Sequence, residues 1–66
     1  MASPNTGARE VLFEFTAIGS VVKVSAIDAA TGLEVSVMGP AKASRADLQQ
    51  LALAKLNARL ASRSRT

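Results

Sequence analysis

Side chains that perform acid–base or metal chemistry are scarce in this sequence, which has neither His nor Cys among its 66 residues. Without His, a Ser–His–Asp arrangement for acyl transfer is excluded. The acidic residues are scattered, and without Cys or His they suit no structural zinc site and no disulfide or thiolate chemistry. The sequence therefore predicts a protein that is not an enzyme, uses no cofactor or metal and has no evident small-molecule substrate.

Basic side chains give the strongest electrostatic signal in the chain. Residues 42–66 carry six Lys and Arg residues against one acid, a net charge of +5, whereas residues 1–41 carry two basic and four acidic residues, a net charge of −2. A basic surface can bind nucleic-acid phosphates, and the candidate contacts are Lys42, Arg45, Lys55 and Arg59. Basic residues near a helix end also favour its macrodipole and its solubility, so nucleic-acid binding is the alternative hypothesis.

Apolar residues that the predicted elements leave uncovered form a second candidate site. They are Leu12, Val21, Ile27 and Met38 on the outer face of a predicted sheet, and Leu51 and Leu53 on the two sides of a predicted helix. Single exposed apolar side chains are normal on protein surfaces, but these residues have few polar neighbours. The leading hypothesis is therefore a non-enzymatic interaction module whose partner is another protein or a second copy in a homodimer.

The elements that position these residues follow from the hydrophobic pattern. Apolar and polar residues alternate in three segments, which is typical of strands with one buried face. The predicted inward-facing residues are Val11, Phe13 and Phe15, then Val22, Val24 and Ala26, then Leu33, Val35 and Val37. Gly39-Pro40 ends the third segment.

The first connection is predicted at Ile18-Gly19, because glycine adopts the positive φ that tight hairpin turns require. The resulting register places Phe15 opposite Val22 on the inner face. On the outer face it pairs Glu14 with Lys23, which carry opposite charges.

The second connection is predicted between Asp28 and Leu33. An Asp at the start of a turn accepts backbone N–H groups, and Gly32 suits a left-handed closing position. This register places Ala26 opposite Val35. Both connections keep the apolar residues on one face, which predicts an antiparallel meander.

A C-terminal helix is predicted from Arg45 to Ala61, with Ser44 as its N-cap. An apolar residue recurs at every fourth position and forms a stripe for the inner sheet face, namely Leu48, Ala52, Leu56 and Leu60. The predicted fold is α+β: a three-stranded antiparallel β-meander with one C-terminal α-helix packed on one face. We expect a single domain over residues 9–61, a disordered N-terminal tail over 1–8 and a frayed basic tail over 62–66.

Targeting features are also missing from the sequence. No apolar run approaches the ~18 residues that a membrane helix needs. Residues 1–7 have neither the basic start nor the apolar stretch of a signal peptide. We therefore expect a cytoplasmic protein with no membrane partner.

Several segments together resemble a family of short, uncharacterised alphaproteobacterial proteins. These segments are Glu10 to Phe15, Val22 to Val24, Ala26 to Asp28, Thr31 to Val35, Gly39-Pro40 and Leu51 to Leu56. The resemblance covers about residues 10–60, and it implies a β-β-β-α fold and a bacterial cytoplasmic origin. It implies no activity.

The segment Gly39 to Arg45 is similar to the loop before the last helix of double-stranded-RNA-binding domains, whose second half is also three strands and a helix. Of the three basic helix positions that grip phosphates in that family, this chain has Arg45, followed by Ala46 and Gln49. The first helix of that family has no counterpart in residues 1–8. The likeness implies a shared topology, which does not transfer function.

Overall fold

The computed structural model describes residues 10–64. Three strands precede one helix: β1 (Val11–Ile18), β2 (Val21–Asp28), β3 (Glu34–Pro40) and α1 (Arg45–Ser64). The strands form one antiparallel sheet in the order β1-β2-β3, which confirms the predicted meander and the α+β fold class. The tail predicted over residues 1–8 lies outside the described residues.

The core lies between one face of the sheet and α1, which packs mainly across β2 and β3. The predicted apolar stripe of α1 is confirmed, because Leu48, Ala52 and Leu56 are buried and Leu60 packs against the same cluster. Opposite them lie the buried residues Val22, Val24, Ala26 and Val35. The core is therefore aliphatic, and the two phenylalanines are only half-buried at its margin.

The first hairpin differs from the prediction by two residues in register. Its turn residues are Gly19-Ser20, so Phe15 pairs with Val24 rather than with Val22. Gly19 has a φ of 59°, and within residues 10–64 no residue other than glycine has a positive φ. This fits a type II′ turn with glycine at its first central position. The predicted pairing of Glu14 with Lys23 is wrong, because Glu14 lies opposite Ser25.

The second hairpin has the predicted register, with Ala26 opposite Val35. The backbone N–H of Asp28 donates to the carbonyl of Leu33 at 2.8 Å, and Gly32, with a φ of 78°, donates to the carbonyl of Asp28 at 2.7 Å. The Asp28 carboxylate also accepts hydrogen bonds from the backbone and the side chain of Thr31. Local side-chain bonds therefore fix this turn.

A close approach between β3 and the start of α1 places the helix on the sheet. A Cβ added at Gly39 would lie 2.5 Å from Cδ2 of Leu48, so glycine is the residue that leaves room for this buried leucine. From there α1 runs back along β3, and Lys55 reaches the carbonyl of Ser36. The helix α1 is not apolar enough to span a membrane.

The helix begins at the predicted residue and ends later than predicted. Ser44 Oγ accepts a hydrogen bond from the backbone N–H of Asp47 at 3.3 Å, as an N-cap does. At the other end α1 continues three residues past Ala61 to Ser64, so the first part of the predicted basic tail is helical. Arg63 in the last turn favours this extension, because a cation there stabilises the helix macrodipole. Residues 65–66 lie outside the described residues.

Ser44→Ala is expected to lower the free energy of unfolding by about 0.5–1 kcal/mol, because the N–H of Asp47 loses its acceptor. The bond is long and exposed, so the effect should lie at the low end of the range for caps. Urea unfolding followed by circular dichroism measures it. Ser44→Asp, which retains an acceptor, should keep the wild-type midpoint. Equal midpoints for the Ala and Asp variants would contradict the assignment of the cap.

Candidate functional site

The face of the sheet away from α1 carries a mixed surface arranged in cross-strand rows. Along the sheet the rows are Leu12–Ile27–Glu34, Glu14–Ser25–Ser36, Thr16–Lys23–Met38 and Ile18–Val21–Pro40. The outer rows are largely apolar, whereas the central rows are polar, and the hydroxyls of Ser25 and Ser36 lie 3.1 Å apart. No element covers this face in the part of the chain that the structure describes.

The four outer-face residues predicted from the sequence do lie on this surface. Leu12 and Met38 are exposed, whereas Val21 and Ile27 are half-buried by their neighbours. Ile18 is half exposed on the same face, and sequence reasoning assigned it to the turn. The alternation of β1 extends to Ile18, and this pattern was the signal that could have identified it.

The two predicted helix-flank residues do not join that surface. Leu51 is the most exposed large apolar residue within residues 10–64, with 59 % of its surface accessible, and Leu53 is half-buried. Both belong to α1, which lies on the opposite side of the sheet from Leu12 and Met38. The predicted apolar residues therefore form separate patches and not one continuous interface.

The edge of the sheet at β1 is open in the described part of the chain. The carbonyl of Glu10 accepts a hydrogen bond from the N–H of Ala29, so the even-numbered residues of β1 form the hydrogen-bonded pairs with β2 in the alternating antiparallel pattern. The backbone groups of the odd-numbered residues, such as Phe13 and Phe15, consequently point away from β2. Within residues 10–64, β1 pairs with β2 alone.

The opposite edge, at β3, is partly blocked by the chain itself. The carbonyl of Ser36 points outward and accepts a hydrogen bond of 2.7 Å from Nζ of Lys55. Pro40 has no N–H, and its carbonyl accepts a bond of 2.9 Å from the N–H of Ala43. Lysine and proline at an edge are devices that prevent pairing with another strand. The two edges of the sheet therefore differ in their capacity to bind one.

Aromatic side chains lie beside the open edge. Phe13 and Phe15 pack against the core from β1, but both remain half-buried because α1 lies mainly over β2 and β3. The guanidinium of Arg45 lies over the ring of Phe15, 5.1 Å from its centroid, within the range of a cation–π contact. The surface next to the β1 edge therefore carries two half-buried aromatic rings.

The four predicted nucleic-acid contacts do not form a cluster. Lys42 lies in the loop before α1, and Arg45 and Arg59 are about 21 Å apart along the helix at 1.5 Å per residue. Arg45 is engaged with Phe15, and Lys55 with the carbonyl of Ser36. Lys42 and Arg59 are exposed. Two of the four cations therefore already contact groups of their own chain.

The described part of the chain offers no enclosed site for a small molecule. No pocket is present within residues 10–64, and no group of three His, Cys, Asp or Glu side chains in that range is placed to hold a metal ion. The expectations that the protein is not an enzyme and uses no cofactor stay predictions. The face of the sheet away from α1 and the β1 edge are therefore the surfaces at which a partner can bind.

Comparison with known proteins identifies a family. A family model described as a domain of unknown function (DUF6898) matches residues 8–63, which is nearly the whole chain. No curated protein and no solved structure matches. The resemblance to a family of uncharacterised β-β-β-α proteins is thus confirmed, whereas the alphaproteobacterial origin and the likeness to double-stranded-RNA-binding domains stay predictions.

Proposed function

The chain belongs to the DUF6898 family, a family of unknown function, and we propose that it is a non-enzymatic interaction module that associates with a second copy of itself. The observation that carries the proposal is the one-sided sheet: α1 covers one face, while no element within residues 10–64 covers the other face or pairs with the β1 edge. Leu12, Ile18 and Met38 expose about half of their surface there.

The energetics of a small domain support association. A core of this size rarely supplies more than about 3–5 kcal/mol, and small domains gain stability from disulfides, metals or oligomerisation. The chain has no Cys for a disulfide and no Cys or His for a structural zinc site. Of these three sources of added stability, its composition therefore favours association. Each Å² of apolar surface buried between two copies contributes about 25 cal/mol before the entropy of association is subtracted.

Self-association predicts an average mass that rises with concentration. Sedimentation equilibrium of the full chain from micromolar to millimolar concentration should approach the mass of a dimer. Leu51→Lys alters the exposed flank of α1 on the far side of the sheet, so this variant should keep the wild-type equilibrium. A monomer mass at millimolar concentration would refute the proposal, and loss of the dimer in Leu51→Lys would move the contact to the helix.

Nucleic-acid binding is the alternative, and its support is the +5 charge of residues 42–66. Arg45 and Lys55 already contact groups of their own chain, and these contacts weaken the case for nucleic-acid binding. A titration with duplex RNA and DNA at low and high salt separates the two functions, because phosphate contacts give a steep salt dependence.

A cytoplasmic location is also part of the proposal, since a chain without Cys needs no oxidising compartment. Cell fractionation tests it.

A further inference from the structure

We infer that the second copy binds along the β1 edge, antiparallel to β1, so that the two three-stranded sheets join into one six-stranded sheet. The inference rests on the proposed self-association. It specifies which surface forms the contact and which residues of the two β1 strands face each other. The contact is β-strand addition, in which backbone hydrogen bonds supply affinity and alternating side chains supply specificity. It assigns both helices to the same side of the joined sheet.

The difference between the two edges of the sheet favours a second copy as the partner. β1 is eight residues long, contains no proline or lysine, and has Glu14 as its only charged residue. β3 has Pro40 at one end and the Lys55 contact at Ser36. With the β1 edge open and the β3 edge partly blocked, pairing of two β1 strands about a two-fold axis closes the assembly at a dimer.

The backbone of β1 meets the needs of this pairing. Its outward N–H and C=O groups belong to the odd-numbered residues, because the even-numbered residues are bonded to β2. In an antiparallel pair of identical strands, an odd-numbered residue of one copy faces an odd-numbered residue of the other. Each such pair exchanges two hydrogen bonds, so Phe13, Phe15 and Ala17 supply matching donors and acceptors.

The side chains of β1 select one register, with Phe15 at the two-fold axis. Phe15 then faces Phe15 of the second copy, and Phe13 faces Ala17. On the outer face Leu12 meets Ile18, which brings together two side chains that are 49 % and 50 % exposed in the single chain. Glu14 faces Thr16. Aromatic and aliphatic cross-strand pairs of this kind stabilise sheets.

The neighbouring registers pair these side chains less well. A shift of two residues in one direction faces Glu14 with Ile18 and moves Leu12 opposite Ser20 in the turn. A shift of two residues in the other direction places Glu14 opposite Glu14 of the second copy, and like charges directly opposite are destabilising. A further shift of two faces Glu14 with Leu12 and leaves Ile18 opposite residues beyond the strand. Arg45, which lies over Phe15, is exposed in the single chain.

Charge changes at Thr16 test the contact and its register. Thr16→Glu places a carboxylate opposite Glu14 of the second copy, twice per dimer, and should weaken the dimer roughly 2- to 30-fold, while Thr16→Lys should tighten it. Met38→Glu is the matched control: Thr16 and Met38 lie on either side of Lys23 in one outer-face row. Both variants add a carboxylate beside Lys23, but only Thr16 lies on β1.

A second readout follows the backbone. In hydrogen exchange measured by NMR, the amides of Phe13, Phe15 and Ala17 should exchange rapidly at low protein concentration and slowly at high concentration. Adding Glu14→Lys to Thr16→Glu restores opposite charges and should restore the dimer. A monomer at every concentration overturns the proposed function. A dimer that is unaffected by either Thr16 change, or that Met38→Glu disrupts instead, overturns the edge contact alone.

Discussion

Val24→Asp is expected to abolish the folded state. Val24 is fully buried in the central strand and faces α1, in the cluster that contains Ala52 and Leu56. A carboxylate at this position would be removed from water without a partner, and burying an unpaired charge costs several kcal/mol. A domain of this size rarely has a stability above about 3–5 kcal/mol, so a penalty of several kcal/mol unfolds it.

The amide region of an NMR spectrum measures the outcome directly. Wild-type protein should give dispersed amide resonances, and Val24→Asp should give the narrow dispersion of an unfolded chain. Gln50→Asp is the control, because it introduces the same side chain at an exposed position of α1 and should keep the dispersed spectrum. A well-dispersed spectrum from Val24→Asp would falsify the placement of Val24 in the core.

The meander could be predicted because alternation fixes which face of each strand is buried, and this constraint is strong wherever one face packs against a core. The second turn was predicted with its register because Asp28 and Gly32 occupy chemically distinct positions in it. Each residue fits one role: the Asp side chain accepts hydrogen bonds, and the glycine adopts a positive φ.

The first register could not be fixed in the same way. A shift of two residues leaves every side chain on its own face, so the hydrophobic pattern cannot distinguish pairing Phe15 with Val22 from pairing it with Val24. Gly19 is compatible with either of two adjacent turn positions. The type II′ turn at Gly19-Ser20 extends β1 to Ile18, and the error therefore hid an exposed residue of the outer face.

The difference between the two edges of the sheet also could not be predicted from the sequence. Local periodicity shows that α1 packs on the sheet, but it does not show over which strands the helix lies. Its position over β2 and β3 depends on the close approach of Leu48 to Gly39, a contact between distant parts of the chain. That position brings Lys55 to the carbonyl of Ser36 and leaves Phe13 at an open margin.

The turn between β2 and β3 depends on one carboxylate. Asp28 is almost fully buried, and its Oδ2 accepts hydrogen bonds from the N–H of Thr31 at 3.0 Å and from Oγ1 of Thr31 at 2.8 Å. Oγ1 of Thr31 in turn accepts from the N–H of Leu33 at 3.1 Å. These bonds continue the backbone pairing of Asp28 with Leu33, so the side chains hold the register that keeps Val35 in the core.

Asp28→Ala is expected to lower the free energy of unfolding by about 1.5–3 kcal/mol, the range for hydrogen bonds to charged groups. Thr31→Val removes the hydroxyl at similar volume and should cost less, because the N–H of residue 31 still reaches the carboxylate. The double variant should cost less than the sum of the two, since both changes remove the same bond between the two side chains.

Urea unfolding of the wild type, the two single variants and the double variant, all at one protein concentration, measures this coupling. Ala30→Ser, an exposed change in the same turn, is the control and should leave the midpoint unchanged. Strictly additive losses from Asp28→Ala and Thr31→Val would show that the two side chains act independently, and the turn would then owe its register to the backbone bonds and Gly32.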